Sequence, residues 1–414
     1  MVGILTVLAF NTVVVGSVGY LLFCADPQTN RLARALLHTG PNKLLGAATA
    51  VFGDRPERLY NFCCFTPNPL LQIFYLVLVN GGFLMFMVHG YPLLPNEYMG
   101  PVHLVLPFLV MAACILTFTL ACTVEPGHLT VQNAAAYDNY PADGVIFLPG
   151  KVCPTCKVPK LARSKHCRVC NRCVSRFDHH CGWLNQCVGE RNYRFFLLFL
   201  VTHVAMLWYA AALLGGILLS VANAKRLWSA TFVHPATGAR APPGAAVIAQ
   251  WFAFHHAQLC ALLLLAGAMG AVLSGFTAYH AWLAARGTTT NEAAKWGDAR
   301  AYHRRLARAY ATATGDGGGG EQGRSGGGRC DVPAAGDPPL DSDGDGALLE
   351  APGRMPANIY NNGPWANLLE VLLPRCYRRQ GRRRMVPARD PFEFSAASYW
   401  EEAAEDDAPQ EQLS

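Results

Sequence analysis

The sequence predicts an all-α polytopic membrane protein with about five transmembrane helices and one small cytosolic cysteine-rich domain. Three observations lead to this fold class. The chain of 414 residues is 52% hydrophobic and only 15% charged. Several apolar runs approach the roughly 20 residues that a helix needs to cross a bilayer. Between two of these runs, residues 153–187 contain seven cysteines and three histidines.

Five apolar runs are long enough to be transmembrane helices. The first lacks the basic start of a secretory signal and a small-residue cleavage pattern, so it is predicted to be an uncleaved anchor. A cleaved signal is the alternative. The predicted spans are 1–24, 69–91, 102–122, 195–219 and 257–280.

Lysine and arginine alternate between the loops, which predicts the orientation of the chain. Short cytosolic loops retain these residues, whereas translocated loops contain few of them. Basic residues are frequent in 25–68 and 123–192 and absent from the loop around 93–100. The predicted organisation is an anchor at 1–24, a cytosolic loop at 25–68, helices two and three within 69–122, a cytosolic cysteine-rich domain at 123–192, helices four and five within 193–285, and a cytosolic C-terminal region at 286–414 with a disordered insert at 313–353.

The cysteines of 153–187 are predicted to bind metal or to react, because cytosolic thiols are kept reduced. Two Cys-x2-Cys pairs, Cys153/Cys156 and Cys167/Cys170, can each place two sulfurs on one zinc ion. Two Cys3His sites would use eight of the ten candidate ligands and leave one thiol and one imidazole over. Spacing alone does not decide which cysteine and histidine are spared. The further ligands available are His166, Cys173, His180 and Cys187.

The complete pattern resembles the signature of the DHHC family of protein S-acyltransferases. The residues that carry the resemblance are Cys153, Cys156, His166, Cys167, Cys170, Cys173, Asp178, His179, His180, Cys181, Cys187, Asn192 and Phe196. The resemblance implies one structural zinc site made of Cys153, Cys156, His166 and Cys173. It implies a second made of Cys167, Cys170, His180 and Cys187.

Two further segments extend the resemblance past the cysteine-rich domain. Residues 289–292 resemble the Thr-Thr-x-Glu motif of the family, and 358–367 resemble its C-terminal motif, in which Asn367 would be a buried polar anchor. The resemblance covers about 100–385 and is nearest to a branch of the family with five spans.

A free thiol beside a histidine indicates nucleophilic chemistry. An unassisted thiol is mostly protonated at neutral pH because its usual pKa is about 8.5. We therefore assign Cys181 as nucleophile, His179 as its base and Asp178 as the group that orients the base. In an extended strand, His179 and Cys181 would share one face while His180 turns to its zinc ion.

The implied function is transfer of a long-chain acyl group, of the palmitoyl type, from acyl-CoA to cysteines of membrane-associated proteins through an acyl-enzyme on Cys181. Residues 151–194 carry four lysines and six arginines against two acidic residues. Such a surface suits anionic headgroups and the phosphates of coenzyme A. The predicted phosphate contacts are Arg163, Lys165, Arg191 and Arg194. The alternative for each is ordinary positive-inside topology.

The competing function is a non-catalytic, zinc-dependent membrane scaffold. Nucleic acid is not expected as a partner, since both ends of the domain enter the membrane and the spacing differs from that of DNA-binding fingers. The predicted cofactors are two structural zinc ions, with acyl-CoA as co-substrate. Endoplasmic reticulum or Golgi is the location that the family resemblance implies.

Overall fold

The computed structural model describes residues 35, 39–233, 238, 240–241, 244–314 and 355–375. These residues are mostly helical. The helices are α1 (Gly40–Phe52), α2 (Arg55–Phe65), α3 (Leu70–His89), α4 (Leu106–Thr123), α5 (Ala134–Tyr137), α6 (Tyr193–Ala224), α7 (Ala245–His255), α8 (Ala257–Ala285), α9 (Thr290–Thr314) and α10 (Pro364–Leu372), with 3-10 turns at Tyr91–Leu93 and Pro101–Leu104. The strands are β1 (Lys165–Cys167), β2 (Arg172–Val174), β3 (His179–Cys181), β4 (Gln186–Val188), β5 (Phe232–Val233) and β6 (Arg240–Ala241).

Four helices in this part of the chain, α3, α4, α6 and α8, are long and apolar enough to cross a membrane. They correspond to the second to fifth predicted spans, and the chain is an integral membrane protein. The predicted anchor at 1–24 lies outside the described residues. So does the insert at 313–353, except for residues 313 and 314, which form the end of α9 and are therefore helical.

Helix α6 packs against both α4 and α8, and α8 also contacts α3 and α10. Polar groups inside this bundle satisfy one another, as burial in an apolar environment requires. The hydroxyl of Tyr75 lies 2.6 Å from Nε2 of His203, whose Nδ1 lies 2.7 Å from the carbonyl oxygen of Phe199. His203 therefore has a packing role within the bundle.

The cysteine-rich segment between α4 and α6 folds into short antiparallel hairpins. Strands β1 and β2 form one hairpin and β3 and β4 form the next. An isolated bridge between Val152 and Pro159 closes a smaller turn upstream. With so few strand residues, these hairpins have little backbone pairing of their own, so their stability must come from cross-links and from packing against the helices.

The segment after the last span returns to the cysteine-rich domain. Asn367, predicted to be a buried polar anchor, is 1% exposed. Its amide donates to the carbonyl oxygen of Ala285 at 2.8 Å and accepts from the backbone N–H of Asn362 at 3.0 Å. The close approach requires glycine at 287, where φ is +63° and a Cβ would lie 2.7 Å from the carbonyl oxygen of Tyr360. Helix α10 is thereby fixed to the end of α8.

Candidate active site

The cysteine-rich domain repeats one unit of structure three times, at an interval of 14 residues. The cross-strand pairs are Val152/Pro159, His166/Cys173 and His180/Cys187. The residue after each tip has a positive φ: 55° at Lys157, 51° at Asn171 and 50° at Asn185. Asparagine tolerates this left-handed conformation well, which makes it suited to such turns.

The repeat explains how two metal sites share three hairpins. Each site combines two tip cysteines of one hairpin with the cross-strand His/Cys pair of the next. The ligand atoms of each cluster all lie within 4.8 Å of one another. The clusters are Cys153, Cys156, His166 and Cys173, and Cys167, Cys170, His180 and Cys187.

The geometry of both clusters suits a tetrahedral zinc ion. Bonds of about 2.3 Å to sulfur and about 2.0–2.1 Å to nitrogen separate these atoms by about 3.6 Å in a tetrahedron. Nδ1 of His166 lies 3.6, 3.3 and 3.8 Å from the sulfurs of its cluster. Nδ1 of His180 lies 3.8, 3.3 and 3.7 Å from those of the second. Each cluster therefore fits one zinc ion with a Cys3His ligand set.

The third hairpin tip differs from the other two. Cys181 occupies the place of Cys167, but Leu184 stands where the second cysteine of a knuckle would be. Leu184 is only 1% exposed and packs, with Cys181 itself, into the apolar cluster formed by the spans. Cys181 therefore lies outside both metal clusters and is buried in the same apolar cluster as Phe196 and Phe199.

Two consecutive residues, Asp178 and His179, form the polar side of the site beside that thiol. Nδ1 of His179 lies 2.6 Å from Oδ2 of Asp178, and the imidazole interacts with the thiol of Cys181. Burial alone would lower the pKa of His179, but Asp178 and Cys181 outweigh it and raise this pKa to about 10. The arrangement favours a proton on this imidazole.

Asp178 is held from outside the cysteine-rich domain. Its carboxylate accepts hydrogen bonds from the backbone N–H of Thr290 at 2.8 Å and from the Thr290 hydroxyl at 3.0 Å. Burial alone would raise the pKa of Asp178, but contact with His179 keeps this pKa below its usual value. The Thr-Thr-x-Glu segment at the start of α9 therefore supports the site directly.

A buried ion cluster joins the same segment to the domain. The guanidinium of Arg163 is fully buried and bonds to Glu292 at 2.6 and 2.7 Å and to Glu370 at 3.1 Å. It also donates to the carbonyl oxygen of Gly287 at 2.8 Å. Burial opposes the charge of Arg163, but Glu292 outweighs it and raises the pKa of the guanidinium.

The cluster corrects one of the predicted phosphate contacts. Arg163 is buried and its guanidinium is occupied by two carboxylates and a carbonyl, so it is not available to coenzyme A. Lys165 is exposed, with Nζ 5.8 Å from the Phe177 ring centre. Arg191 pairs with Glu125, and Arg194 donates to the carbonyl oxygen of Leu372 at 3.1 Å. For these three residues a phosphate contact stays a prediction.

Sequence reasoning missed Glu370, which bonds to Arg163 and to the hydroxyl of Tyr140 at 3.0 Å. A signal for it exists, because Glu370 is the one ionisable residue of α10, whose other residues are apolar except for Asn367. A lone carboxylate on such a helix must be solvated or paired. Here Arg176 and Arg163 outweigh the effect of burial and keep the pKa of Glu370 low.

The chain is similar in sequence to known proteins over the region that contains both clusters and the Cys181 thiol. Residues 146–297 match the family model described as DHHC palmitoyltransferase. Bovine palmitoyltransferase ZDHHC4 is 31% identical over 281 residues, which cover 67% of this chain and 71% of the bovine protein. Mouse palmitoyltransferase ZDHHC4 is 36% identical over 191 residues, 46% of this chain and 55% of the mouse protein. Palmitoyltransferase swf1 of Schizosaccharomyces pombe is 32% identical over 242 residues, 58% of this chain and 63% of that protein.

The fold and the site thus place the chain in a class of integral membrane enzymes that carry a domain with two Cys/His clusters. The chain belongs to the DHHC palmitoyltransferase family. The predicted family and enzyme class, protein S-acyltransferases, are therefore confirmed. The aligned part spans little more than half of the mouse relative and 71% of the bovine one.

Proposed function

We propose that this chain transfers a long-chain acyl group, of the palmitoyl type, from acyl-CoA to cysteine thiols of membrane-associated proteins. The observation that carries the proposal is the thiol of Cys181, which lies outside both Cys3His clusters, beside His179 and against the apolar cluster of the spans. A thiol in this setting can react with a thioester whose acyl chain lies among the helices. The identity of the co-substrate, acyl-CoA, and that of the acceptor proteins are part of what we propose.

The first step forms an acyl-enzyme. Because Nδ1 of His179 is engaged with Asp178, Nε2 is the atom left to accept the proton of the Cys181 thiol. The thiolate attacks the thioester carbonyl, a bond forms between Sγ and the acyl carbon, and the bond to the sulfur of coenzyme A breaks. The departing thiolate takes the proton back from His179, so that charge and protons balance.

The second step repeats this chemistry with a different thiol. A cysteine of the acceptor protein gives its proton to His179 and attacks the acyl carbon. The Cys181 thiolate leaves and recovers the proton. Since thioester and thiol stand on both sides of each step, the site has to supply orientation and proton transfer rather than driving force.

We assign a structural role to zinc at the two Cys3His clusters. When bound, zinc supplies four cross-links at each cluster between hairpins that have little other pairing. His180 and Cys187 flank Cys181, so ligation of these two residues would fix the backbone on both sides of the nucleophile. If this role is right, loss of zinc should inactivate the protein by unfolding the domain and not by removing a group that takes part in the reaction.

We further propose that the site faces the cytosol, in the endoplasmic reticulum or the Golgi. The support is the distribution of charge: 151–194 holds four lysines and six arginines, whereas the loop between α3 and α4 has none. Protease protection of tags inserted at residues 97 and 320 in sealed microsomes tests the orientation. Cleavage of only the 320 tag from the outside is expected.

Acyl labelling tests the enzymatic proposal. The purified chain, given palmitoyl-CoA without acceptor, should accumulate a fatty-acyl label that hydroxylamine removes. Cys181→Ser should abolish the label while both zinc ions stay bound. The matched control is Cys122→Ser, because Cys122 is a second thiol packed against the same apolar cluster. An undiminished label on Cys181→Ser would refute the proposal, and an unlabelled wild-type protein would favour the scaffold.

A further inference from the structure

A cavity of about 200 Å³ opens at the end of the last span, outside the site described above. A water molecule in liquid occupies about 30 Å³, so the cavity can accept a group of several heavy atoms. The polar and aromatic residues that line it come from α8, α9 and the segment after residue 355. They include Trp282, Arg286, Thr288, Trp296, Arg300 and Asn358.

Two arginine side chains make the cavity positively charged. Arg286 and Arg300 are both exposed, and no acidic partner of either is present in the described part of the chain. The guanidinium of Arg286 lies over the ring of Trp282 at 4.9 Å, which holds it at the cavity rather than in free solvent. Two unneutralised guanidinium groups beside a concave site favour an anion with several oxygen acceptors, such as a phosphate.

A buried hydrogen-bond donor also favours a ligand with oxygen acceptors in this cavity. Trp296 is 6% exposed, and its Nε1–H is buried without a hydrogen-bond acceptor among the described residues. An unsatisfied buried donor costs about 1–3 kcal/mol, so such groups call for a water molecule or a ligand. Because Trp296 lines the cavity, a ligand whose oxygen atoms reach this N–H would lower that cost.

The position of the cavity relates it to the membrane. It lies where α8 ends at Ala285, and the exposed rings of Tyr279 and Trp282 stack along that end at 6.1 Å. Exposed tyrosine and tryptophan at the end of a span are typical of the headgroup layer of a bilayer. Lipid headgroups are the phosphates that this layer holds at the highest local concentration, so the position of the cavity favours a lipid as the source.

We propose that this cavity binds the phosphate of an anionic phospholipid headgroup. The lipid would lie in the same leaflet as the catalytic thiol, because Thr290, four residues after Arg286, contacts Asp178. Binding is independent of the acylation chemistry, so it can be measured in protein that carries Cys181→Ser.

The test uses the purified full chain in detergent and a fluorescent phosphatidylinositol 4-phosphate as the probe, with phosphatidylcholine as the neutral lipid. The double variant Arg286→Gln/Arg300→Gln should bind the anionic lipid about thirtyfold more weakly, since each basic side chain near a lipid surface contributes about one factor of five. Arg304→Gln is the matched control, because it removes an exposed arginine one turn further along α9. This control should stay within about twofold of wild type.

Three outcomes would overturn the proposal. The first is equal affinity for the anionic lipid in the wild type and in the double variant. The second is equal binding of phosphatidylcholine and the anionic lipid by the wild type. The third is displacement of the lipid by free coenzyme A or by inorganic phosphate at comparable concentration, which would assign the cavity to a soluble phosphate. Zinc content of each variant reports whether the chain has folded.

Discussion

The second and third hairpins of the cysteine-rich domain share one backbone and differ in what their tips do. Cys167 and Cys170 at the tip of the second hairpin belong to one metal cluster. In the third hairpin, the matching positions are Cys181 and the buried Leu184. Replacement of a ligand by a leucine thus leaves one thiol without a metal and turns it towards the apolar helices. A reactive cysteine can arise from a metal knuckle by the loss of its partner.

The two hairpins also differ in what supports them. Each end of the second hairpin belongs to a metal cluster, whereas only the base of the third, His180 and Cys187, does so. The tip of the third hairpin packs instead into the apolar cluster of the spans through Leu184, and hydrogen bonds from Thr290 to Asp178 add support at its base. The metal and the C-terminal segment therefore share the task of holding the nucleophile.

The largest expected effect is loss of a metal ligand at the second tip. Cys170→Ser should lose the second zinc ion and abolish acylation, because a structural zinc ion contributes on the order of 10 kcal/mol to folding. Metal analysis and acyl labelling measure both results. Cys260→Ser, which alters a cysteine of α8 outside the clusters, should keep two zinc ions and full activity. Two bound zinc ions in active Cys170→Ser would contradict the assignment of ligands.

The next effect concerns the support that comes from outside the domain. Glu292→Gln leaves the buried Arg163 with less compensation and should lower the free energy of unfolding by about 3–5 kcal/mol. Thermal unfolding in detergent measures this loss. Glu125→Gln is the matched control, because Glu125 pairs with a partly exposed Arg191 and such pairs contribute about 1 kcal/mol or less. Equal losses in the two variants would show that burial of the ion cluster is unimportant.

A direct way to erase the difference between the tips is to restore the missing cysteine. Leu184→Cys should make acylation sensitive to added zinc, with about tenfold inhibition at a concentration that leaves the wild type active, because two tip thiolates can then share a metal. A chelator should reverse the inhibition. Leu184→Ser removes the same packing but offers no thiolate, and it should show no such sensitivity. Identical zinc responses in both variants would count against the equivalence of the three tips.

A smaller effect is expected at the contact between α9 and the third hairpin. Thr290→Val removes the hydroxyl that donates to Asp178 but keeps the backbone N–H. The loss of one hydrogen bond to a carboxylate should cost about 1–2 kcal/mol and slow acylation by about tenfold. Initial rates of acyl-enzyme formation measure it. The control is Thr277→Val in α8, which should leave the rate unchanged. A similar loss of rate in this control would show that the effect is not specific to Thr290.

The smallest expected effect concerns the turns of the second and third hairpins, which share one backbone conformation although the two tips differ in chemistry. Asn171 and Asn185 have the same left-handed conformation, so Asn171→Gly and Asn185→Gly should each change the free energy of unfolding by only about 0.5–1 kcal/mol. Denaturant or thermal unfolding of the two variants provides the comparison. A large loss in only one of them would mean that the two turns are not equivalent.

Much of the fold could be predicted because membrane helices are specified locally. The apolar runs at 69–91 and 102–122 correspond to helices Leu70–His89 and Leu106–Thr123. Helix α6 is longer than predicted and extends over Tyr193–Ala224, because the helix continues at both ends into segments, 193–194 and 220–224, that mix polar and apolar residues. Hydropathy identifies the part of a helix that lies in lipid, whereas hydrogen bonding decides where the helix ends.

The site was only partly predictable for a related reason. The spacing identified ten candidate ligands but not which of them share a metal site. That assignment depends on which hairpins lie next to each other in the folded domain. Arg163 was wrongly assigned to a phosphate, since a count of charges in a basic loop contains no information on burial. Its partner Glu370 is 207 positions away, and such a contact depends on the tertiary fold alone.

The ion cluster around Arg163 also bears on how the enzyme is made. One of its carboxylates, Glu370, is translated long after the guanidinium that it neutralises. While the ribosome is still reading the codons between 292 and 370, Glu292 is the only one of the two carboxylates that can pair with Arg163. Val371 packs in the same apolar cluster as Cys181, so the nucleophile acquires its final surroundings only when translation has passed this residue.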